Sequence, residues 1–416
     1  MKVCIHRGTQ EVGGTCIEIE SKGKRITLDV GLPLEAADSV ESLPKVDGFR
    51  ERHDSLLAVV ISHPHLDHYG LARYLLPDTQ MIMGAATERI LKAATLFTPT
   101  GMTFRNVLNL ESGKPLSIGP FTITPYLNDH SAYDAYSLLI SADGQRLFYS
   151  GDFRGHGRKA ALFERFLKCP PSDVDVLLME GTTIGRSGSE ADHKTEQELE
   201  QCFLKHIDDS KGMVLVWTSG QNIDRLVTVF KACQKSGRQL ILDMYTAEII
   251  RTTENPKVPQ AGWNGVKIFL PGSQRRQIIK SQQFELAERY KPYRIYPKQL
   301  AVEASRSVML FRPSMRRDLE KAECLQDATL VYSLWPGYLK REELRSFHEW
   351  LERRGIPLVH CHTSGHASPQ DLQRFAKAIA PRMLVPIHSF ATKRFKEYFD
   401  NVKMKTDGQW WEVPHA

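Results

Sequence analysis

The stretch "ISHPHLDHYG" at 61–70 places three histidines and an aspartate within six consecutive positions, His63 to His68. Such donors cluster to hold metal, and holding metal demands a rigid element that aims several lone pairs at one point. His63 and His65 are two apart, so in an extended segment they project on the same side. Asp67 and His68 follow as the chain turns away from the strand. Imidazole and carboxylate suit zinc, with manganese or iron as further choices. Structural zinc sites usually close with cysteine-rich ligand sets, and no cysteine lies here, so the cluster reads as catalytic.

A wider pattern supports that reading. Several apolar runs end in a further donor: Asp29 after "RITL", His130 after "ITPYLND", Asp152 after "LFYSG", Glu180 after "VLLM" and His388 after "LVPI". Strand ends converge in α/β folds and are rigidly held, which is where such folds collect functional side chains. Any one of these residues alone is more simply a turn cap or a satisfied buried group. Their repetition at strand ends is not explained that way.

Short strand-like runs at 56–62, 121–127, 136–142, 145–151 and 174–181, with a helical spacing at 87–97, predict a layered α/β sandwich. Residues 1–30 read as a hairpin turning at "SKGK". From about 190 the texture changes to alternating strand and helix ("GMVLVWTS", "NIDRLVTVFKACQKSG", "RQLILDM"), the rhythm of a parallel sheet. Short strands return after "FHEWLERRGI". The domain expectation is therefore 1–189, an inserted 190–352, and 353–416 rejoining the first. Seven scattered cysteines without a C-x-x-C pair suggest neither a disulfide framework nor a zinc ribbon. With no signal-peptide pattern and no apolar run of spanning length, a cytoplasmic protein without a membrane partner is expected. The net charge of +6 permits a polyanionic partner without demanding one.

His63-x-His65-x-Asp67-His68, with Asp29, His130 and Asp152, resembles the metallo-β-lactamase fold of binuclear metallohydrolases. Glu180 in "LLMEGTT", His366 in "HTSGHAS" and His388 in "VPIHSF" resemble the three later motifs of its β-CASP branch. "TSGQNIDRLVTVFKACQKSGR" and "HCHTSGHAS" are similar to the ribonuclease J family within that branch. The resemblance implies a four-layer αββα sandwich with an inserted βαβ-type β-CASP domain. The sequence closes on "WWEVPHA", so a C-terminal domain appended in that family is not expected here.

The resemblance further implies two divalent ions, zinc or alternatively manganese. His63, His65 and His130 would hold one, Asp67, His68 and His388 the other, with Asp152 bridging. Asp29 would orient a ligand histidine. Two such ions about 3.5–4 Å apart activate a water and stabilise charge on a phosphodiester. Asp67 would also serve that water, and His366 paired with Glu180 would protonate the leaving oxygen. Two departures stand out, Gly-Thr-Thr after Glu180 and Pro64 in place of a small or hydroxyl residue. Neither removes a ligand, so an active enzyme is expected.

For substrate, "HTSGHAS" offers His362, Ser364 and Ser368 around a flexible glycine, a credible phosphate loop. Ser219 and Asn222 in "TSGQNIDR" precede a helix, where capping is the plainer role and phosphate binding the alternative. Segment 273–298 interleaves Tyr290, Tyr293 and Tyr296 with Lys291, Arg294 and Lys298. It reads equally as a single-strand surface or as a solvated helix followed by a tyrosine-rich core strand. A histidine at 388 resembles the RNA-processing members of the branch. The leading expectation is a nuclease acting on single-stranded RNA. A DNA nuclease of the same fold and a small-molecule metallohydrolase (lactone, thioester or phosphodiester) are the alternatives. Exonucleolytic and endonucleolytic action both stay open, as does a homo-oligomer.

Overall fold

Cys16–Ser21 and Lys24–Leu28 pair antiparallel through the two-residue turn Lys22-Gly23. Both turn residues have positive φ, +50° and +70°, the backbone that matches the twist of a tight hairpin. This hairpin belongs to the first of two units in the computed structural model, which describes residues 1–186 and 193–414.

The first unit comprises Met1–Lys92, Met102–His193 and Gly365–Ala416. Among the described residues it contains two sheets. One has seven strands, in the order Trp410–Glu412, Lys2–Arg7, Cys16–Ser21, Lys24–Leu28, Leu56–Val60, Gln80–Gly84 and Asn106–Leu110. The other has six, ordered Met383–Ile387, Val176–Glu180, Gln145–Tyr149, Tyr136–Ala142, Phe121–Leu127 and Leu116–Ile118. Val176–Glu180 runs parallel between Gln145–Tyr149 and Met383–Ile387 and is buried at every position. Burial on both faces is why "VLLM" is continuously apolar rather than alternating.

Layering follows from which side chains share a core. Ile17, Leu28 and Val60 of the first sheet pack with Ile123, Leu138 and Val385 of the second in one cluster between the sheets. Outside the first sheet, Val59, Ile61 and Met83 pack with Tyr69 and Leu91 of the helices Leu66–Tyr69 and Ala85–Ala94. Outside the second, Phe148, Leu177 and Leu384 pack with Phe163 and Phe166 of Ala160–Lys168 and with Leu372 and Phe375 of Pro369–Ile379. The order is helix, sheet, sheet, helix: an αββα sandwich.

The second unit comprises Ala93–Gly101 and Lys194–Ser364. Its six strands are all parallel, in the order Val266–Phe269, Gln239–Asp243, Ser307–Leu310, Val214–Trp217, Thr329–Tyr332 and Leu358–His360. The helix Glu196–Asp209 opens with a reciprocal Thr195–Glu198 capping box. Ile223–Ser236 is capped by Asn222 and ends at Gly237, φ +71°.

Three features differ from the sequence reading. Leu358–His360 pairs with Thr329–Tyr332, so residues 353–364 lie with the second unit, whereas the sequence texture returns them to the first. The segment after Tyr290 is no core strand: a short 3-10 turn, Lys291–Tyr293, leads through an extended strap into the helix Pro297–Glu303. Finally, Cys202 and Cys361, 159 residues apart, form a disulfide. Spacing could not show that pair, because only the return of Leu358–His360 brings Cys361 to the helix Glu196–Asp209. No helix among the described residues is long and apolar enough to cross a membrane.

Candidate metal centre

Leu56–Val60 runs parallel to its neighbours and stops at "ISHPHLDHYG". His65 occupies the N-cap position of the one-turn helix Leu66–Tyr69, so Asp67 and His68 fall on its first turn while His63 stays on the strand extension. The other donors arrive from other strand ends of the same unit. Asp29 follows Lys24–Leu28 with φ +57°, and His388 follows Met383–Ile387 with φ +49°, two left-handed turns that end their strands abruptly. Asp152 follows Gly151, φ +53°, where an added Cβ would lie 2.7 Å from the Tyr136 carbonyl oxygen, so glycine is required for the turn.

Three donor groups result: His63, His65 and His130; Asp67, His68, Asp152 and His388; and Asp152, Glu180 and His366. Within each group the donor atoms lie within 4.8 Å of one another. His130 Nε2 is 3.1 Å from His65 Nδ1. Asp152 Oδ2 is central, at 3.1 Å from His68 Nε2, 3.7 Å from both His63 Nε2 and His388 Nε2, and 3.6 Å from His366 Nδ1. His63 Nε2, His388 Nε2 and Asp152 Oδ1 are buried without a hydrogen-bond partner. Buried polar atoms are nearly always paired, so three orphans converging on one point mark a place for cations. The neutral-imidazole and carboxylate donor set fits a divalent metal.

Electrostatics favour the same state at His63, His65 and His130, while at His68 burial is outweighed by the charges of Asp152 and Asp29, which raise the pKa. Burial, reinforced by the neighbouring imidazoles, holds His63 and His130 well below the usual histidine range, and burial brings His65 down to about 4. These imidazoles are therefore neutral near pH 7 and keep a lone pair for metal. Burial opposes charge on Asp152, yet His388, His68 and His366 outweigh it and hold the carboxyl well below its ordinary value.

Behind the donors stands a buried scaffold. Asp29 Oδ2 accepts from Tyr149 (2.5 Å), His68 Nδ1 (2.7 Å) and the Ser62 hydroxyl (2.8 Å), while Oδ1 accepts the Ser62 N–H at 2.7 Å. His68 is thereby aimed with its Nε2 at Asp152. Thr15 Oγ1 is 2.9 Å from His388 Nδ1 and does the same for that ring. Glu180 accepts from the Phe153 N–H and faces His366 Nδ1 at 3.0 Å. Thr182 and Thr183, the departure after Glu180, donate to the carbonyls of His388 and Ala367, tying both histidine-bearing loops to the Glu180 turn. A fully buried Asp129–Arg154 pair, with Gly157 N–H on Asp129 Oδ2 at 2.7 Å, joins the loops that carry His130 and Asp152.

The candidate substrate residues are dispersed. Ser368 Oγ caps the helix Pro369–Ile379 through the Asp371 N–H in the first unit. In the second unit, Asn222 Oδ1 accepts from Arg225 N–H and caps the helix, and Ser219 Oγ accepts from Gln221 N–H in the turn before it. His362 and Ser364 also lie there, with His362 Nδ1 buried and unpartnered and its pKa lowered by burial and by Arg225 to about 3. Thr15, Ser62, Tyr149 and Gly31 escaped the sequence reading. Of these only Ser62 carried a signal, standing directly before His63. The Gly31 backbone is covered by Asp67, and a Cβ there would sit 1.8 Å from the Asp67 carbonyl oxygen.

Fold and donor set together point to a class: residues 29–208 match the family model of the Beta-lactamase superfamily domain, and the αββα sandwich with donors at its strand ends fits a metallo-β-lactamase scaffold for divalent metal. Within that class the chain is similar to ribonuclease J proteins. Ribonuclease J of Sinorhizobium meliloti is 23% identical over 363 residues, covering 84% of this chain and 60% of that protein. Ribonuclease J of Helicobacter pylori is 22% identical over 416 residues, covering 93% and 56%. The chain thus matches little more than half the length of these relatives. A crystal structure of a protein of unknown function from Enterococcus faecalis shares the fold, with a TM-score of 0.79, 21% identity and 99% coverage of both chains.

Proposed function

We propose that this chain is a metal-dependent nuclease that hydrolyses phosphodiester bonds of single-stranded RNA. The observation that carries the reading is the position of Asp152, which belongs both to the metal-donor group with Asp67, His68 and His388 and to the group with Glu180 and His366. A proton carrier therefore stands beside the metal donors. Two divalent ions bound there, zinc or manganese, would supply the Lewis acidity that acidifies water and offsets charge on a phosphodiester.

The chain's own residues do the rest. His63, His65 and His130 would hold one ion and Asp67, His68 and His388 the other, with Asp152 lying among the second group's donors. Asp29 and Thr15 fix the rings of His68 and His388. Asp67 orients the attacking water and accepts its proton. Glu180 and Asp152 outweigh burial and raise the His366 pKa, so His366 carries a proton to the leaving oxygen. The names of the relatives support RNA as the polymer.

A single-stranded RNA labelled at its 5′ end, incubated with protein and Mn²⁺ or Zn²⁺, tests the reading. Wild type shortens it and His65→Ala does not. The product sizes separate exonucleolytic from endonucleolytic cutting. If both proteins leave RNA and DNA intact while wild type turns over a lactone or a simple phosphodiester, the nuclease reading falls.

A further inference from the structure

Residues 272–306 of the second unit hold eight lysines and arginines against three glutamates, a surplus of five on a chain whose net charge is +6. Ordinary surfaces intersperse the two signs, so one short segment carrying almost the whole excess marks a place for polyanion. Arg289 and Lys291 are occupied by Glu248 and Glu288. Among the described residues no ion pair engages Arg275, Arg276, Lys280, Arg294, Lys298 or Arg306.

The strap between the 3-10 turn and the helix Pro297–Glu303 then fixes how the aromatic groups are shown. Arg294 and Tyr296 are extended, with φ/ψ of −74°/142° and −102°/159°. Ile295 is pinned into the second unit's core and its N–H bonds the Ile268 carbonyl at 3.0 Å. An extended backbone alternates its side chains, so burying Ile295 turns Arg294 and Tyr296 outward together. The Arg294 guanidinium lies 4.7 Å from the centre of the Tyr296 ring, which is 43% exposed. Tyr293, 37% exposed, is seated against the bare backbone of Gly262, where a Cβ would come within 3.0 Å of the ring. By contrast Tyr290 is buried and donates to Glu248 at 2.7 Å, a structural role.

We propose that Tyr293, Arg294, Tyr296 and Lys298 form a binding ledge for a single-stranded polynucleotide, the cations tracking phosphate and the two exposed rings stacking on bases. Held rings beside unpaired cations are what a strand with unstacked bases requires, while a duplex hides its base faces. The ledge deepens the nuclease reading and rests on it only for the choice of RNA as the polymer.

The test is fluorescence anisotropy of a labelled 2′-O-methyl oligouridylate with the intact, metal-loaded protein, as a function of salt. Tyr293→Ala/Tyr296→Ala and Arg294→Ala/Lys298→Ala each weaken binding about tenfold, the size expected for lost stacking or phosphate contacts. The charge pair also flattens the salt dependence by about one to two units of log–log slope, and the aromatic pair leaves that slope unchanged. Turnover of bis(p-nitrophenyl) phosphate stays at the wild-type level in both. Should the tyrosine pair fail to fold, Lys298→Glu at an exposed position gives the same loss of affinity. Wild-type affinity in the folded variants, or no binding by the wild type, overturns the ledge. Equal affinity for a duplex, equally reduced by the substitutions, overturns its assignment to single strands. Ledge-dependent binding by a protein that cleaves no RNA refutes the nuclease reading and leaves the ledge standing.

Discussion

Glu180 Oε2 and His366 Nδ1 stand 3.0 Å apart, joining the end of a buried central strand to a loop nearly two hundred residues downstream. The carboxylate favours the protonated ring even though His366 is largely withdrawn from water. Removing either partner should strike turnover rather than metal binding. We expect Glu180→Gln and His366→Ala to lower kcat on labelled RNA by about 10²–10⁴, the usual worth of a general acid. Metal content, read by elemental analysis of the purified protein, should match wild type. Loss of metal in step with activity would make His366 a ligand instead.

The Thr15 hydroxyl meets His388 Nδ1 at 2.9 Å in a fully buried setting. Thr15→Val keeps the shape and deletes that hydrogen bond, freeing the ring to rotate. Partners of this kind are worth about 10–100-fold in metal affinity. A competition titration with a chelating dye should show such a loss, with the thermal midpoint of the chelator-treated protein nearly unchanged. Unaltered affinity would reduce Thr15 to packing.

The donor residues were legible because their signals are local: one dense motif, and single polar residues closing apolar strands. The seven metal candidates are those that the structure gathers into the first two donor groups. What orients them was not legible. Thr15 and Gly31 sit in ordinary sequence and acquire their roles only through contacts with His388 and Asp67 made by the fold. A layered α/β sandwich follows from strand texture, its αββα order from the family resemblance, and the parallel sheet of the second unit from the alternation after residue 190. Where the chain leaves that sheet was misleading, since the three-residue strand Leu358–His360 resembles the short strands of the first unit. Tyr290 and Tyr296 look alike in sequence, yet one is buried on Glu248 and the other exposed under Arg294.

Gly31 offers a direct check on that close approach. A methyl group at this position would overlap the Asp67 carbonyl oxygen and its carbon, at 1.8 and 2.4 Å. Both are backbone atoms of the donor motif, so relief must move the motif itself. Gly31→Ala should cost about 1–3 kcal/mol, the range for overpacking a core, in urea unfolding of the chelator-treated protein. It should also weaken metal binding, because Asp67 and His68 move with that carbonyl. Full stability with full metal affinity would show that the loop yields freely.

Acid sensitivity of the second unit should trace to Asp243. Its Oδ2 accepts from Arg312 Nε at 2.7 Å and from Gln274 at 2.6 Å, and Oδ1 caps the helix Met244–Thr252 through the Thr246 N–H. Burial alone would raise this carboxyl, but the Arg312 charge and the donated hydrogen bonds outweigh it and hold the pKa below its ordinary value. A carboxyl depressed in the folded state binds protons less readily than in the unfolded chain. Its stabilisation is therefore complete above the unfolded pKa of about 3.9 and is lost as pH falls through the lower folded value. Asp243→Asn removes the charge but keeps the shape, leaving Arg312 partly buried without its counter-ion. Urea unfolding followed from neutral pH downward should show wild type the more stable at neutrality, with the gap closing only below about pH 4. A gap that stays constant to the lowest pH would mean the carboxylate charge contributes nothing, and that the loss in Asp243→Asn is one of hydrogen-bond geometry alone.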